Sequence, residues 1–276
     1  MGRTSVDRGI GAHIPRREDF RLLTGAGKYA DDMRAEGQVY GYALRCYHAH
    51  ARLRSIDTSE AKKAPGVILV LTGADYAADG LKGIPHGAMT VKPEDHTVPC
   101  FGQADGSPAF SAPNIPIVKD KVHHIGEIVA FVVADTLQRA RDAAELVAPD
   151  IEPLEPVTDM TRAADAPPLF PDVATNTVLD WFAGNAAATD EAFAKASHVT
   201  RLRLDNNRLV VGAMEPRAVV ASWDAAAEKF TVHAPSQGAF GLRGALCAVF
   251  RLPPQKRSEE HTSELQSHHD LVCRLL

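Results

Sequence analysis

Residues 128–147, IVAFVVADTLQRARDAAELV, decide the first part of the fold. The apolar run Ile128–Val133 has the length and β-branched content that are typical of a buried strand. Asp135 or Thr136 can then cap a helix, because either side chain can accept a hydrogen bond from a free backbone N–H group. In the residues that follow, the apolar side chains recur at helical spacing, at Leu137, Ala140, Ala144 and Val147. We predict a buried strand and an amphipathic helix that ends near residue 147.

The preceding sequence contains further predicted strands and a short helix. Val67–Leu71 is a second short apolar run, and Asp57 starts a short helix that Pro65 and Gly66 end. Two further strands are predicted at Val39–Leu44 and Ala51–Ile56. Residues 76–117 have no sustained periodicity and are predicted to form a long loop, and residues 149–172 a surface linker rich in Pro, Asp and Glu. The first unit is therefore predicted to be a mixed α/β domain that ends near residue 150.

A second unit is predicted after the linker. A short helix with three residues facing inward is expected first, and then three antiparallel strands, a turn at residues 224–228 and a longer helix. The predicted elements are the helix Thr189–His198 with Ala192, Phe193 and Ala196 inward, the strands Val199–Leu204, Val219–Trp223 and Phe230–His233, and the helix Ala239–Phe250 with Leu242, Leu246 and Val249 on one stripe.

Composition excludes several classes of protein. Apolar residues make up 45% and charged residues 24% of the 276 residues, which is ordinary for a globular chain and excludes a disordered one. The net charge of -5 and the aromatic content of 6% argue against nucleic acid as a partner. No apolar run approaches the roughly 20 residues of a membrane span, and the N-terminus lacks the apolar core of a signal peptide, so a cytoplasmic location is expected.

Several candidate motifs have a structural explanation that outweighs the chemical one. Thr24–Lys28 lacks the full phosphate-loop pattern and is predicted to be a turn. The pairs His48 with His50 and His123 with His124 have no evident third ligand, and neighbours on a strand point to opposite faces, so no metal site is expected. Ser236 and His233 lack the nucleophile elbow of a serine hydrolase.

Two stretches of the second unit offer polar groups in fixed positions. Glu215 and Arg217 flank a proline just before a strand, and Pro216 restricts the backbone, so a salt-bridged turn is predicted. Gln237 lies at a junction from strand to helix. Its amide can serve as a cap or turn residue, or can contact an oxo group or anion beside the free N–H groups of the helix.

Together these stretches resemble the molybdenum-binding large subunit of the xanthine dehydrogenase, aldehyde oxidase and aerobic carbon monoxide dehydrogenase family. The similarity covers residues 10–256, and its motifs run in the family's order. They are Arg17–Asp19, Leu23–Asp32, His48–Arg52, Ile56–Ser59, Pro65–Val67, Leu71–Asp75, Val122–Glu127, Val129–Ala130, Val132–Asp135, Met214–Arg217 and Ser236–Gln237.

The resemblance implies a fold of the α+β class (mixed α/β) with a "hammerhead" domain and then the truncated start of a molybdenum-cofactor domain. The implied boundaries are an extended segment 1–23, the hammerhead domain 24–150, a linker 151–172, and the incomplete cofactor domain 173–256. In the family the glutamine of the Ser-Gln motif approaches the molybdenum centre. The resemblance therefore implies that Gln237 binds the cofactor, with Gly238 and Phe240 as its neighbours, and that Glu215 and Arg217 are structural.

The implied activity is that of a molybdenum hydroxylase, which would oxidise or hydroxylate an aldehyde, an N-heterocycle or carbon monoxide with oxygen from water. The implied cofactor is molybdenum bound to molybdopterin cytosine dinucleotide. An iron–sulfur small subunit and an FAD-binding medium subunit are the implied partners, within an assembly in which the large subunit dimerises. A non-catalytic α/β subunit-interaction module is the alternative.

The chain departs from the family's pattern at three places. Arg45-Cys46-Tyr47 replaces an Arg-Ser-Pro sequence, and Pro149 interrupts a stretch that commonly continues as a strand, which predicts an edge strand or a broken one. The Gly-Gly-Gly-Phe-Gly motif and the catalytic glutamate of the family are expected beyond residue 256. We therefore predict that the chain alone is inactive and retains no molybdenum.

Residues 257–276, RSEEHTSELQSHHDLVCRLL, match the translation of a sequencing adapter. We interpret this tail as non-native and exclude it from the fold prediction. Its histidines and Cys273 are accordingly not interpreted as a zinc cluster.

Overall fold

A computed structural model describes residues 19–85, 109–180, 184–206, 209, 212, 217–236 and 238–252, and the backbone of 257–262. The helices are α1 Asp19–Leu23, α2 Ser59–Lys63, α3 Gly73–Ala78, α4 Leu137–Glu145, α5 Ala186–Lys195 and α6 Ala239–Phe250, with a 3-10 helix at Ala30–Asp32. The strands are β1 Tyr40–Arg45, β2 Ala51–Asp57, β3 Val67–Thr72, β4 Lys121–Val122, β5 Ile128–Ala134, β6 Ala148–Pro153, β7 Val220–Asp224, β8 Lys229–Pro235 and β9 Arg257–Thr262.

The N-terminal unit, residues 19–153, is built around β5. This strand lies between β1 and β3 and pairs antiparallel with both, so its alternate side chains face two different layers. Val132 is fully buried, and α4 packs on its side of the sheet through Ala140, Ala143 and Ala144. Thr136 caps α4 by accepting a hydrogen bond from the N–H of Arg139. The predicted strand and helix, and the mixed α/β class, are confirmed.

A second sheet of this unit has the strand order β4-β2-β6. Strand β6 begins at Ala148 and pairs antiparallel with β2, which places Pro149 on an edge strand as predicted. The strand runs to Pro153, so the linker that was predicted to begin at 149 or 151 begins after the sheet. Pro149 is tolerated because an edge strand pairs on one side only, so no strand on its other side needs the backbone N–H group that proline lacks.

The loop predicted at 76–117 is partly helical at its start. Helix α3 begins at Gly73 and includes Tyr76, and a capping box between Thr72 and Asp75 holds its first turn. Residues 86–108 of the predicted loop lie outside the described residues. Asp57 contributes to the start of α2 by accepting a hydrogen bond from the N–H of Ser59, although Thr58 is the residue at the cap position.

The linker is an ordered loop closed by Asn176. The Oδ1 atom of Asn176 accepts a hydrogen bond from the N–H of Leu169, and its Nδ2 atom donates to the carbonyl of Ala163. Lys121 fastens the loop to the N-terminal unit by donating to the carbonyl of Leu169 at 2.8 Å. The Phe170 ring stacks on His123 with 4.5 Å between ring centres. The loop is thus attached to the sheet that contains β4.

The C-terminal unit, residues 184–252, contains a hairpin and a long helix. Strands β7 and β8 pair antiparallel from Val220 opposite His233 to Asp224 opposite Lys229, which confirms the turn predicted between them. Helix α6 has the predicted bounds and packs Leu242 against Val232 and Ala234 of β8. The backbone of 257–262 pairs in parallel with β8, so part of the segment interpreted as an adapter product forms an edge strand.

Two predictions for this unit are wrong. Helix α5 forms three residues before the predicted position but buries none of its residues, and Phe193 is 59% exposed instead of facing inward. Residues 199–204 are not a strand, and Leu202 and Leu204 are 78% and 80% exposed. Alternating apolar residues form a strand only where a neighbouring strand pairs with them, and no such pairing exists in the described ranges.

Candidate functional site

The junction from β8 to α6 contains the predicted cofactor contacts. Ser236 follows β8 directly, is 4% exposed, and its Oγ atom accepts a hydrogen bond from the N–H of Gly238 at 3.0 Å. This bond bends the chain so that α6 begins at the next residue. Gln237 itself lies outside the described residues. The residues on both sides of Gln237 are therefore held by the buried end of β8 and the first turn of α6.

The N-terminal end of α6 is open on the side of Gly238. Among the residues that the structure describes, a Cβ atom built at Gly238 would meet nothing within 4 Å, and none caps the helix here with its side chain. The first N–H groups of a helix have no acceptor within the helix itself. They point out of the helix end together with its positive dipole, so this end is suited to bind an anionic or oxo group.

Phe240, the second predicted neighbour, lies on the surface of the first turn. Its side chain is 81% exposed, and the guanidinium of Arg243 lies 5.3 Å from the centre of its ring. The sequence analysis missed Arg243. Its spacing of three residues from Phe240, which places both on one helix face, is the signal that could have identified it. Backbone N–H groups and the guanidinium of Arg243 thus lie at or near one helix end.

Glu215 lies outside the described residues, and Arg217 is an exposed residue without regular structure. The salt-bridged turn predicted for this pair stays a prediction. Ser236 uses its hydroxyl to accept the N–H of Gly238, which is the role of a turn residue and differs from that of a nucleophile.

His123 and His124 both approach Glu127, which the sequence analysis did not anticipate. They lie in a turn after β4 and so do not alternate as residues on a strand would. The Nδ1 atom of His123 is 3.8 Å and the Nε2 atom of His124 is 3.7 Å from carboxylate oxygens of Glu127. Our argument that the two rings point apart was therefore wrong, because β pairing ends at Val122.

Several interactions determine the ionisation of Glu127. Burial acts to raise its pKa, but the hydrogen bonds from His123 and the charges of His124 and His123 outweigh burial, so the pKa of this carboxyl is lowered. The anionic form also accepts the backbone N–H of His123. Among the described residues, no group of three or more His, Cys, Asp or Glu side chains has the arrangement of a metal site. The cluster acts as an ion-paired turn.

His48 and His50 also have structural partners. The Nδ1 atom of His50 lies 2.7 Å from the carbonyl oxygen of Glu155, and because a carbonyl can only accept, Nδ1 carries the proton. The His48 ring lies 4.5 Å from that of Tyr47. Thr24–Lys28 is a turn, as predicted, with Gly25 at a φ of 73° and the Thr24 hydroxyl donating to the carbonyl of Phe20.

In the described part of the chain, none of the helices combines the length and the apolar content that a membrane-spanning helix needs.

Two domain families match the chain. The family described as "aldehyde oxidase and xanthine dehydrogenase, a/b hammerhead domain" matches residues 24–104. The family described as "molybdopterin cofactor-binding domain" matches residues 169–257, a segment that includes the junction from β8 to α6. The second match ends at the first residue of the tail that resembles an adapter product. The expected hammerhead domain and the partial cofactor domain are both confirmed.

Individual relatives agree with these matches. The carbon monoxide dehydrogenase large chain of Afipia carboxidovorans is 32% identical over an alignment of 272 residues, which covers 92% of this chain and 31% of that protein. The nicotine 6-hydroxylase large subunit of Paenarthrobacter nicotinovorans is 34% identical over 217 residues, which are 78% of this chain and 24% of that protein. A crystal structure of the copper- and molybdenum-containing carbon monoxide dehydrogenase is similar with a TM-score of 0.75 and 32% identity, over 91% of this chain and 31% of that one.

The chain thus spans about a third or less of the length of these relatives. Both domain matches occur in the family's order, and the fold and the relatives agree with them. The chain belongs to the family of molybdenum-binding large subunits of xanthine dehydrogenase, aldehyde oxidase and carbon monoxide dehydrogenase type.

Proposed function

We propose that the chain is the N-terminal part of a molybdenum hydroxylase large subunit. The intact enzyme would oxidise or hydroxylate a small substrate, namely an aldehyde, an N-heterocycle or carbon monoxide, with oxygen derived from water. The observation that carries the proposal is the open N-terminal end of α6, which lies within the segment that matches the molybdopterin-binding domain. The names of the relatives, which include a carbon monoxide dehydrogenase and a nicotine hydroxylase, support the substrate class.

The residues at this helix end fit a molybdenum–molybdopterin cofactor. Such a cofactor is anionic, and the donor set here consists of helix N–H groups, the amide of Gln237 and the guanidinium of Arg243. Gly238 leaves open space, since a Cβ atom there would contact nothing. Ser236 accepts the N–H of Gly238 with its hydroxyl, so the backbone at the start of α6 is held in place before any ligand binds. When bound, the cofactor supplies the oxygen transfer and the electron acceptance that no side chain can provide.

We further propose that the bound form is molybdopterin cytosine dinucleotide and that electrons leave through other subunits. These would be an iron–sulfur small subunit and an FAD-binding medium subunit. The designations "large chain" and "large subunit" of the relatives support a multi-subunit enzyme. A dimer of large subunits in the cytoplasm is part of the same proposal.

The test uses the complete gene from the source genome, expressed together with its partner subunits. We expect Gln237→Ala to lower the molybdenum and pterin content, or the turnover, about tenfold or more, which is the scale for a lost contact to a charged or oxo group. Gln138→Ala is the matched control, because Gln138 lies on the exposed face of α4 and its amide donates to Asp142. Equal molybdenum content and turnover in wild type and Gln237→Ala would refute the assigned contact.

The genomic sequence downstream of codon 256 separates this proposal from the subunit-interaction module. A reading frame that continues into a Gly-Gly-Gly-Phe-Gly motif is the result expected for the enzyme. A genuine stop codon at that position would instead support the non-catalytic module.

A further inference from the structure

Helix α6 is anchored in the cores of both units. Its first half packs on β8 of its own unit, where Leu242 is 8% exposed and contacts a buried cluster with Val232 and Ala234. Its last turn leaves that core. Val249 is 4% exposed and belongs to a cluster whose other buried members come from the N-terminal unit: Tyr76, Ile117 and Ile128. The two ends of the helix therefore have different supports.

Hydrogen bonds fix the last turn of α6 to the segment after α3. The N–H of Lys82 donates to the carbonyl of Val249 at 3.2 Å, and the hydroxyl of Tyr76 donates to the carbonyl of Lys82 at 2.6 Å. Burial raises the pKa of Tyr76, so its hydroxyl keeps its proton at neutral pH and stays a donor. Tyr76, Lys82 and Val249 thus form a continuous connection from α3 to α6.

Arg251 strengthens this attachment. It ends α6 in the left-handed region, with a φ of 54°, a conformation that a non-glycine residue adopts only where contacts support it. Its guanidinium nitrogens lie 3.3 and 3.4 Å from the position that a Cβ atom at Gly80 would occupy. The planar group therefore packs directly over the backbone of Gly80, in the turn that leads to Lys82.

We propose that Tyr76 is a positioning residue for the cofactor-facing end of α6. An α-helix of 12 residues is about 18 Å long and transmits displacement along its axis because each turn is hydrogen-bonded to the next. By fixing the last turn through Lys82 and Val249, the N-terminal unit acts together with β8 to set where the first turn and Gly238 lie. The link to the cofactor rests on the proposed function, whereas the mechanical link from Tyr76 to Gly238 does not.

Hydrogen exchange of the 276-residue chain measures this link without any cofactor. Tyr76→Phe keeps the ring in the core and removes only the donor to the Lys82 carbonyl. We expect exchange of the amides at 239–246 to rise about tenfold, the scale for the loss of one intramolecular hydrogen bond. Exchange in β5 should stay as in wild type. Tyr47→Phe is the matched control, because Tyr47 is 75% exposed, and it should change neither region.

Val249→Ala provides a second variant that weakens the same attachment by removing packing atoms. It is expected to give the same pattern, with faster exchange at 239–246 and unchanged exchange in β5. A rise confined to residues 80–84 and 249–252, or an equal rise in β5 and α6, would overturn the proposal, because the contact would then be local or merely stabilising. A complete enzyme that lacks molybdenum would refute the proposed function and would leave this exchange result unaffected.

Discussion

Gly73→Ala is expected to destabilise the N-terminal unit, because backbone atoms occupy the space that its side chain would need. A Cβ atom at Gly73 would lie 2.3 Å from the carbonyl oxygen and 2.5 Å from the carbonyl carbon of Val118, and 2.6 Å from the Cα atom of Lys119. Comfortable contacts between carbon atoms lie at about 3.5–4.0 Å, so the two segments would have to separate by roughly 1 Å.

Neither segment can move freely. The N–H of Val118 donates to the carbonyl of Ile128 at 2.9 Å, and the Val118 side chain is 6% exposed within a buried cluster. On the other side, Asp75 accepts hydrogen bonds from the backbone and hydroxyl of Thr72 and so holds the first turn of α3 in place. Moving either segment therefore breaks hydrogen bonds or opens packing in the core.

Overpacking of this kind costs about 1–3 kcal/mol, and we expect the upper part of this range because the obstructing atoms are backbone. The gain in helix propensity on replacing glycine by alanine offsets at most about 1 kcal/mol. The net loss in the free energy of unfolding is thus about 2 kcal/mol. For a unit of this size it corresponds to a fall of roughly 4–8 °C in Tm.

The assay is thermal and urea unfolding followed by circular dichroism, with Gly241→Ala as the matched control. Gly241 lies inside α6, and a Cβ atom there would meet nothing within 4 Å. The same chemical change should therefore stabilise α6 by about 0.5–1 kcal/mol. A Gly73→Ala chain that unfolds at or above the wild-type temperature would show that the contact with Val118 does not constrain α3.

Three further predictions concern other parts of the chain. Gly66→Ala should lower the free energy of unfolding by more than Gly126→Ala. Both glycines have positive φ angles, of 78° and 89°, but a Cβ atom at Gly66 would also lie 2.4 Å from the Asp135 side chain, whereas one at Gly126 would meet nothing within 4 Å. Equal losses in urea unfolding would contradict this. Glu127 has a lowered pKa in the folded state, so its carboxylate stabilises the fold above its unfolded pKa and loses that contribution as pH falls through its folded pKa. Glu127→Gln should therefore lower the free energy of unfolding at pH 7 and have less effect near pH 3. A loss of stability that is the same at both pH values would be the contrary result. Elemental analysis of the purified chain should find no stoichiometric molybdenum, and a metal content of about one atom per chain would overturn that expectation.

Local patterns in the sequence were sufficient for several elements, wherever their partners lie in the chain. The run Ile128–Val133, the turn between β7 and β8, and the stripe on Ala239–Phe250 were predicted with nearly the observed bounds. In each case the hydrophobic period and the turn residues lie within about a dozen residues, so the physical cause is contained in the segment itself. The ordered motifs also identified the family, because their residue types and order depend little on tertiary contacts.

Some other patterns gave wrong predictions because their outcome depends on a distant neighbour. The alternation in Val199–Leu204 resembles that of a strand, yet these residues are exposed and unpaired in β structure within the described ranges. The pairing of β6 with β2 extended a sheet into the predicted linker. His123 and His124 meet at Glu127 because β4 ends before them, and that end is set by the length of its partner strand.

The sequence alone therefore determined the buried strand, the helices next to it and the family, whereas the cofactor contact of Gln237 stays a prediction from the resemblance. Only the tertiary structure showed that Val249 of α6 lies in the core of the N-terminal unit beside Tyr76. The stripe on α6 marks Val249 as buried, but it does not say against which residues. Burial lowers the free energy of an apolar side chain whichever apolar surface covers it, so the choice of surface is made by the packing of the whole chain.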